Sequence, residues 1–218
     1  MLGLVFPQRC VVCRRPGGQL CDGCRVSLRR IPPPLCERCG APTAWPVRRC
    51  GECAGRRLGF AHAHAAVIYD DRARALIRAW KERGLRRLAA AAADVIVETV
   101  ARPSVDAIAF VPPDGDRSLL RGHHPAAGLA KGLGATWELP VLTLLARTGE
   151  GRRQTGLTLV ERRANLRGAF APTARSPGSL CLVDDVYTSG ATAHAAAAAL
   201  RKGGARAVEV VTFARAVR

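Results

Sequence analysis

Two adjacent carboxylates, Asp184 and Asp185, follow the apolar run 180–183 and precede Thr188, Ser189, Gly190, Ala191 and Thr192, which open an alanine-rich segment. Ionised carboxylates only accept hydrogen bonds, and vicinal sugar hydroxyls are the matching donors. A hydroxyl-rich turn around a glycine, placed where a helix begins, offers backbone N–H groups and a positive dipole end that suit a phosphate. A run apolar at every position reads as a central parallel strand covered on both faces, and open α/β sheets bind ligands at the carboxyl ends of such strands. Acids for a pentose and amides for its phosphate describe one ligand, a sugar phosphate. Neighbouring like charges repel and are costly to dehydrate, so two acids at a strand end call for a function. No Gly-Lys-Ser/Thr follows the strand, which separates it from a nucleotide-binding P-loop.

A second chemistry lies at the other end of the chain. Eight of the nine cysteines form four Cys-x-x-Cys pairs, Cys10 with Cys13, Cys21 with Cys24, Cys36 with Cys39, and Cys50 with Cys53. Each pair supplies half of a tetrahedral thiolate site from a tight turn, so eight ligands make two structural Zn²⁺ sites. Pairing in sequence order is simplest, with the proline run 32–34 as a stiff spacer between two ribbons; a cross-braced pairing satisfies the same spacing. A disulfide framework would need an oxidising compartment. Only nine residues precede Cys10, too few for a signal peptide, and no run of about 20 apolar residues could span a membrane. The expectation is therefore a cytoplasmic zinc protein whose first 60 residues depend on metal to fold. The ninth cysteine, Cys181, reads as a small buried apolar side chain of the strand before the acids.

The 218 residues carry 34 basic and 17 acidic side chains, a formal charge of +17. Eight thiolates subtract eight and two Zn²⁺ restore four, leaving about +13. Polyanions such as pyrophosphate, nucleotides or a nucleic-acid backbone are the natural partners. Thirty-one of the basic residues are arginine, a bias that coding composition alone can produce.

The elements that must position these groups follow from composition and periodicity. Near residue 60 the chain changes from Cys/Pro/Arg-rich to Ala/Leu/Val-rich, which places a domain boundary there: 1–60 as the zinc module, 61–218 as the second domain. A strand is expected over 65–69, then a helix capped by Asp70 or Asp71 with Ala73, Leu76, Ile77 and Trp80 on one face. Gly84 breaks it, and a second helix is expected over 85–100. Lys81 and Arg83 flank the break within reach of a phosphate, though exposed helix-end cations are the commoner outcome. A strand over 105–111 ends at Pro112 and Pro113. Arg121 and Gly122 then offer forked contacts beside a permissive backbone, suited to pyrophosphate. Further expectations are a strand over 139–145, a polar surface loop over 147–156, a helix over 157–163, the acid-tipped strand, a helix over 193–200 stopped by Gly203 and Gly204, and a last strand over 207–213. This alternation predicts a mainly parallel sheet with flanking helices.

The segment around Asp184 and Asp185 resembles the signature of the type I phosphoribosyltransferases, which hold 5-phosphoribosyl-1-pyrophosphate (PRPP). The wider layout resembles the ComF family: the Cys-x-x-Cys module, Lys81 to Gly84 as Lys-x-x-Gly, Val111 and Pro112 followed by Arg117, Arg121 and Gly122, then Gln154 and Arg162 in the stretch 147–165, and the acid pair. The resemblance implies an α/β fold of the type I phosphoribosyltransferase kind, with a small N-terminal zinc-ribbon module. It implies PRPP held by Arg121, Gly122, Arg147, Arg152, Asp184, Asp185, Thr188, Ser189, Gly190, Ala191 and Thr192, with Mg²⁺. Asp184, Asp185 and Arg153 would then act in phosphoribosyl transfer to an unidentified acceptor, beneath a loop over 147–155. Because ComF members are associated with DNA uptake in natural competence, the resemblance also implies a possible accessory role on single-stranded DNA, with competence proteins as partners. One departure is His123, His124 and Pro125 where members commonly carry Phe-Asn-Gln after Arg-Gly. His62, His64 and His194 lack a partner set in the sequence that would make them ligands.

Overall fold

A computed structural model describes residues 8–113, 124–148 and 168–217. Its elements are α1 (Asp22–Val26), β1 (His62–Ile68), α2 (Asp71–Glu82), α3 (Arg87–Thr99), β2 (Ala107–Phe110), α4 (Pro125–Trp137), β3 (Val141–Leu142), β4 (Leu145–Arg147), β5 (Phe170–Pro172), β6 (Ser179–Tyr187), α5 (Ala191–Lys202) and β7 (Ala207–Arg215). Five strands form one sheet in the order β1-β7-β6-β2-β3, and every pairing in it is parallel. The expected parallel α/β architecture with an N-terminal ribbon module is present.

Local chemistry explains the elements. Asp70 caps α2, its carboxylate accepting from the N–H groups of Arg72 (3.1 Å) and Ala73 (3.0 Å). Ala73, Leu76, Ile77 and Trp80 form the buried face of that helix, as their spacing predicts. His124 caps α4, its Nδ1 accepting from the Ala127 N–H at 3.2 Å, and Pro125 opens the helix where a missing N–H costs nothing. In β6, Leu180, Cys181, Leu182 and Val183 are all fully buried, as a central strand with helices on both faces requires.

Three segments differ from expectation. The last strand of the acid signature does not stop at Val183 but runs to Tyr187, with Asp184 paired to Thr212 and Tyr187 to Arg215 on β7. Parallel partners of equal length carry the ladder past the acids. The strand expected over 139–145 is two short ones. Val141–Leu142 joins the edge of the main sheet, while Leu144 and Leu145 drop into the core of the other face and β4 pairs antiparallel with β5. Arg147 thus ends a strand rather than opening a loop. Arg121, Gly122, Arg152, Arg153, the rest of the loop after Thr148 and the helix over 157–163 lie outside the described residues.

Two cores flank the sheet. One gathers α2, α3 and α4 with Val11 and Leu28 of the first ribbon; the other gathers α5, Leu144, Leu145 and Phe170 with Cys36, Cys39, Ala41, Cys53, Leu58 and Phe60 of the second. Between the ribbons the chain wraps the β1 edge, where the Ile68 N–H donates to the Arg29 carbonyl at 2.8 Å and Arg30 bridges Val67. Edge N–H and C=O groups of a sheet attract foreign strands, and this strap covers them. Gly40, at φ +69°, lies so close to β1 that a β-carbon would strike the carbonyl oxygen of Ala63.

Candidate functional site

Chain connectivity creates the site. From β2 the chain crosses through α4 to β3 on one face, and from β6 it crosses through α5 to β7 on the other. Neighbouring strands whose crossovers leave to opposite faces part at their carboxyl ends, the position at which open α/β sheets hold ligands. A crevice of about 430 Å³ opens there. Val111, Pro112 and Pro113 line it from β2, Asp184, Asp185 and Val186 from β6, Thr188 and Thr192 from the turn into α5, and Arg147 from β4.

Strict alternation would send Asp184 and Asp185 to opposite faces. Beyond Val183 that alternation is lost: Val186 packs on the α2–α4 side and Tyr187 on the α5 side, and both acids reach the crevice. Asp184 is half-buried, and its Oδ1 accepts from the Asp185 N–H at 2.9 Å. Asp185 is buried at 6 % exposure, and its Oδ2 forms an ion pair with Lys81 Nζ from α2. Lys81 is therefore not a solvated helix-end cation; the Gly84 break ends α2 so that its last turn overhangs the acids. Arg147 spans the far wall, its Nε donating to the Pro112 carbonyl at 3.3 Å and its guanidinium lying 4.8 Å from the Phe170 ring centre.

The turn Thr188-Ser189-Gly190 enters α5 at Gly190, which has φ +71° and serves as N-cap without a side-chain hydrogen bond. A β-carbon at Gly190 would fall on the Tyr187 hydroxyl. Glycine is thus required for its backbone and for the ring beneath it. The first-turn N–H groups of α5 are the donors a phosphate would use. Gly190 and Thr192 line a smaller recess that adjoins Asp184 and Thr188, whereas Ser189 and Ala191 line neither hollow and contribute backbone to the turn.

The sequence singles out neither Tyr187 nor Arg215, which carry this turn. Arg215 is 1 % exposed at the end of β7, its guanidinium 4.4 Å from the Tyr187 ring centre. A charged residue closing an apolar parallel strand was the available signal, the same one that marks Asp184. Two histidines have structural roles: His124 is a cap and stacks edge-on to Phe110, and His194 Nδ1 accepts from the Gly59 N–H at 2.9 Å.

The cysteines gather in sequence order, Cys10, Cys13, Cys21 and Cys24 in one group, Cys36, Cys39, Cys50 and Cys53 in the other, with ligand atoms within 4.8 Å of one another in each. The sulfurs lie 3.7 Å apart in Cys13 and Cys21, 3.6 Å in Cys36 and Cys53, and 3.5 Å in Cys39 and Cys50. Tetrahedral ligands about 2.3 Å from a Zn²⁺ stand about 3.8 Å apart, so the groups fit the ion. Burial raises the thiol of Cys10, but N–H groups of Cys13, Cys21 and Val12 outweigh it and bring it down to about 6. Cys36, with N–H groups of Cys39, Cys50 and Arg38 around it, falls to about 7 against the same burial. Cys24 is pushed up to about 12 by burial and by the neighbouring thiols. Four thiolates so close cannot all ionise without a cation among them, which is the case for metal.

Residues 1–54 match the double zinc ribbon domain family. Across 97 % of its length the chain is 28 % identical to competence protein F of Haemophilus influenzae, covering 98 % of that protein. It is 29 % identical to the DNA utilization protein YhgH of Salmonella typhimurium over 97 % of this chain and 99 % of the relative. With competence protein ComFC of Bacillus subtilis the identity is 26 % over 92 % and 86 %. The resemblance to the ComF family thus extends along nearly the whole chain. Among solved structures it overlaps orotate phosphoribosyltransferase from Aeropyrum pernix at 19 % identity and TM-score 0.36, covering 67 % of this chain and 66 % of the other. Among the described residues no helix is long and apolar enough to cross a membrane.

Proposed function

We propose that the crevice binds PRPP and that the chain transfers its phosphoribosyl group to a nucleophilic acceptor, releasing pyrophosphate. The observation that carries this reading is the convergence of Asp184, Asp185 and the α5 N-terminus on one crevice between β2 and β6. In this reading the turn 188–192 holds the 5′-phosphate and Asp184 accepts from the ribose hydroxyls. Asp185, kept in place by Lys81, adds negative potential beneath C1. As the bond from C1 to the pyrophosphate oxygen breaks, positive charge grows on the sugar and negative charge on the leaving group. Fixed carboxylates oppose the first; Arg147 and Lys81 from the described walls, with Arg121, Arg152 and Arg153, oppose the second. The acceptor forms the new bond to C1 and loses its proton to solvent or a base of its own. Mg²⁺ is a hard cation that prefers carboxylate, phosphate and water oxygens, so Asp184 fits as its protein-side partner, and the ion would supply charge neutralisation on the pyrophosphate. The domain division at residue 60 and a cytoplasmic setting belong to the same proposal.

Calorimetry with PRPP and Mg²⁺ tests the binding, and pyrophosphate release across a panel of bases and amines tests the transfer. Asp184→Asn with Asp185→Asn should weaken PRPP binding about 100-fold or more, since each hydrogen bond to a charged group contributes about 1.5–3 kcal/mol. Unchanged affinity would refute the assignment.

A second reading is favoured by the names of the relatives and by Trp45, 68 % exposed on the second ribbon beside Arg48 and Arg49. An exposed indole a few positions before two exposed arginines suits stacking on single-stranded DNA, so the protein would handle DNA in uptake or utilisation together with competence proteins, with the crevice as a ligand sensor. Filter binding should then weaken steeply with salt and on Trp45→Ala. Turnover of PRPP without DNA affinity would favour the enzyme alone.

A further inference from the structure

The two ribbons are attached to the sheet in different ways, and among the described residues it is the second that hydrogen-bonds to the turn at the crevice. The first is held by Arg25 and Arg30 to Glu98 on α3, the latter at 3.1 Å, and by Arg72 Nη1 donating to the Ser27 carbonyl at 3.2 Å. None of these residues lines the crevice. The second ribbon reaches the turn before α5 by two routes. Arg56 Nη2 donates to the Ser189 carbonyl at 2.9 Å, and Gly59 donates to His194 on the first turn of α5. In the other direction, Arg215 Nη1 donates to the carbonyl of the ligand Cys39 at 2.7 Å. Its Nη2 lies 3.8 Å from the Cys39 sulfur and pairs with Glu52 at 2.7 Å. The same guanidinium covers one side of Tyr187, Phe60 stands edge-on to that ring at 6.3 Å, and the Tyr187 hydroxyl lies where a side chain at Gly190 would be.

We infer that the second zinc site is part of the ligand site: its metal fixes Cys39 and Glu52, these fix Arg215 against Tyr187, and Tyr187 with Arg56 fixes the turn 188–190, so that ligand and zinc at this one site bind cooperatively. Arg215, Tyr187 and Arg56 are positioning residues, since each acts on the turn rather than on the ligand. The inference rests on the proposed PRPP reading of the crevice. The metal clamp is coupled to the turn because Arg215 and Tyr187 between them are buried and packed, so a shift at one end has little slack to absorb it. Coupling of this kind is reciprocal: whatever zinc does for ligand affinity, ligand must do for zinc affinity at the same site.

The experiment uses the full chain loaded with two zinc ions. Competition with a zinc-selective chelator measures both zinc affinities, with and without saturating PRPP and Mg²⁺, and with Mg²⁺ alone as control. Cys21→Ala removes the first site so that the remaining equivalent reports the second. PRPP should raise the zinc affinity of the second site at least about fivefold and leave the first unchanged, a factor at the low end of ordinary site-to-site coupling. Arg215→Met should loosen zinc at the second site alone and weaken PRPP binding about tenfold. Arg56→Ala, a half-buried residue whose loss does not threaten folding, should weaken PRPP binding in the same direction by a smaller factor, and it decides the matter if Arg215→Met does not fold. PRPP that binds the wild type yet leaves second-site zinc affinity unchanged overturns the inference, as does wild-type PRPP affinity in Arg56→Ala. A flat calorimetric trace for the wild type would instead remove the PRPP reading itself and this inference with it.

Discussion

The two ribbons carry the same four-thiolate ligand set and adjoin the same sheet, yet they sit in opposite electrostatic and packing circumstances. In the first, Cys13 is exposed and Cys21 half-exposed, and attachment relies on Val11, Leu28 and surface ion pairs to Glu98. In the second, Cys36, Cys39 and Cys53 belong to the core beneath α5, and a buried arginine from the last strand enters the shell around the metal. Identical ligand chemistry therefore does not fix what a structural metal is for. The groups outside the ligands decide that, as second-shell partners generally do. One ribbon covers part of the α2–α4 face and, with residues 29–30, the β1 edge; the other forms a wall behind the turn 188–190.

Stripping both ions erases the contrast and should have the largest effect. Structural Zn²⁺ contributes on the order of 10 kcal/mol of folding free energy per site, far more than a domain can lose. A strong chelator should unfold both ribbons, bare the β1 edge and drive association, seen as light scattering together with loss of two zinc equivalents. Acidification should act in the same direction, because thiolates must be deprotonated to hold metal; stability from the sites is present above the pH at which the ligands protonate and lost below it. A chelated chain that stayed monomeric and folded would show the ribbons to be mere attachments.

Removing one site at a time sharpens the comparison. Cys53→Ala should lower Tm by more than about 10 °C, since several kcal/mol are at stake and about 1 kcal/mol moves a chain of this size by 2–4 °C. It should also abolish PRPP binding. Cys21→Ala should cost stability as well but leave PRPP affinity within about threefold. Equal losses of affinity from both variants would mean that the ribbons act as one body.

How much of this was legible in the sequence follows from the range of each signal. The Cys-x-x-Cys pairs, the cap at Asp70 and the buried stripe of α2 are local patterns, and the parallel sheet follows from alternation of strand and helix; all are readable without tertiary context. The acids at 184 and 185 read as a strand stop, whereas the ladder to Thr212, Ala214 and Arg215 carries β6 on to Tyr187. The break of the strand expected over 139–145 depends on Leu144 and Leu145 finding a core on the opposite face, which composition does not announce. The spacing of Lys81 gives its place at a helix end but not its partner Asp185, and Arg215 is one arginine among 31 whose contact with Cys39 spans 176 positions. Pairings at such separation leave no periodicity to read.

Gly190→Ala probes the junction between the second ribbon and the crevice from the ligand side. A non-glycine residue at positive φ costs about 1–3 kcal/mol, and here the added carbon also meets the Tyr187 hydroxyl. PRPP affinity should fall about 30-fold, with second-site zinc affinity falling as well and first-site affinity unmoved. A loss confined to PRPP would place the turn's conformation outside the control of the ribbon.

A smaller effect is expected on the wall that neither ribbon builds. Lys81 comes from α2, is one-third exposed in its side chain, and pairs with Asp185. Lys81→Met takes one cation from a crevice meant for a polyanion and removes this counter-charge from a buried carboxylate. Affinity for PRPP should drop about tenfold, the magnitude of one hydrogen bond to a charged group. The drop should shrink at high ionic strength, because exposed charge is screened over about 10 Å at 0.1 M salt. Both zinc affinities should stay at their wild-type values, since Lys81 belongs to α2 and meets the crevice through its pair with Asp185. That null result separates the two walls: a cation whose loss weakens the ligand without moving zinc acts by its charge, whereas Arg215 must move both. Were Lys81→Met to loosen the second zinc as Arg215→Met does, the crevice would be responding as a single soft unit and the distinction between a ligand wall and a metal-backed wall would fail.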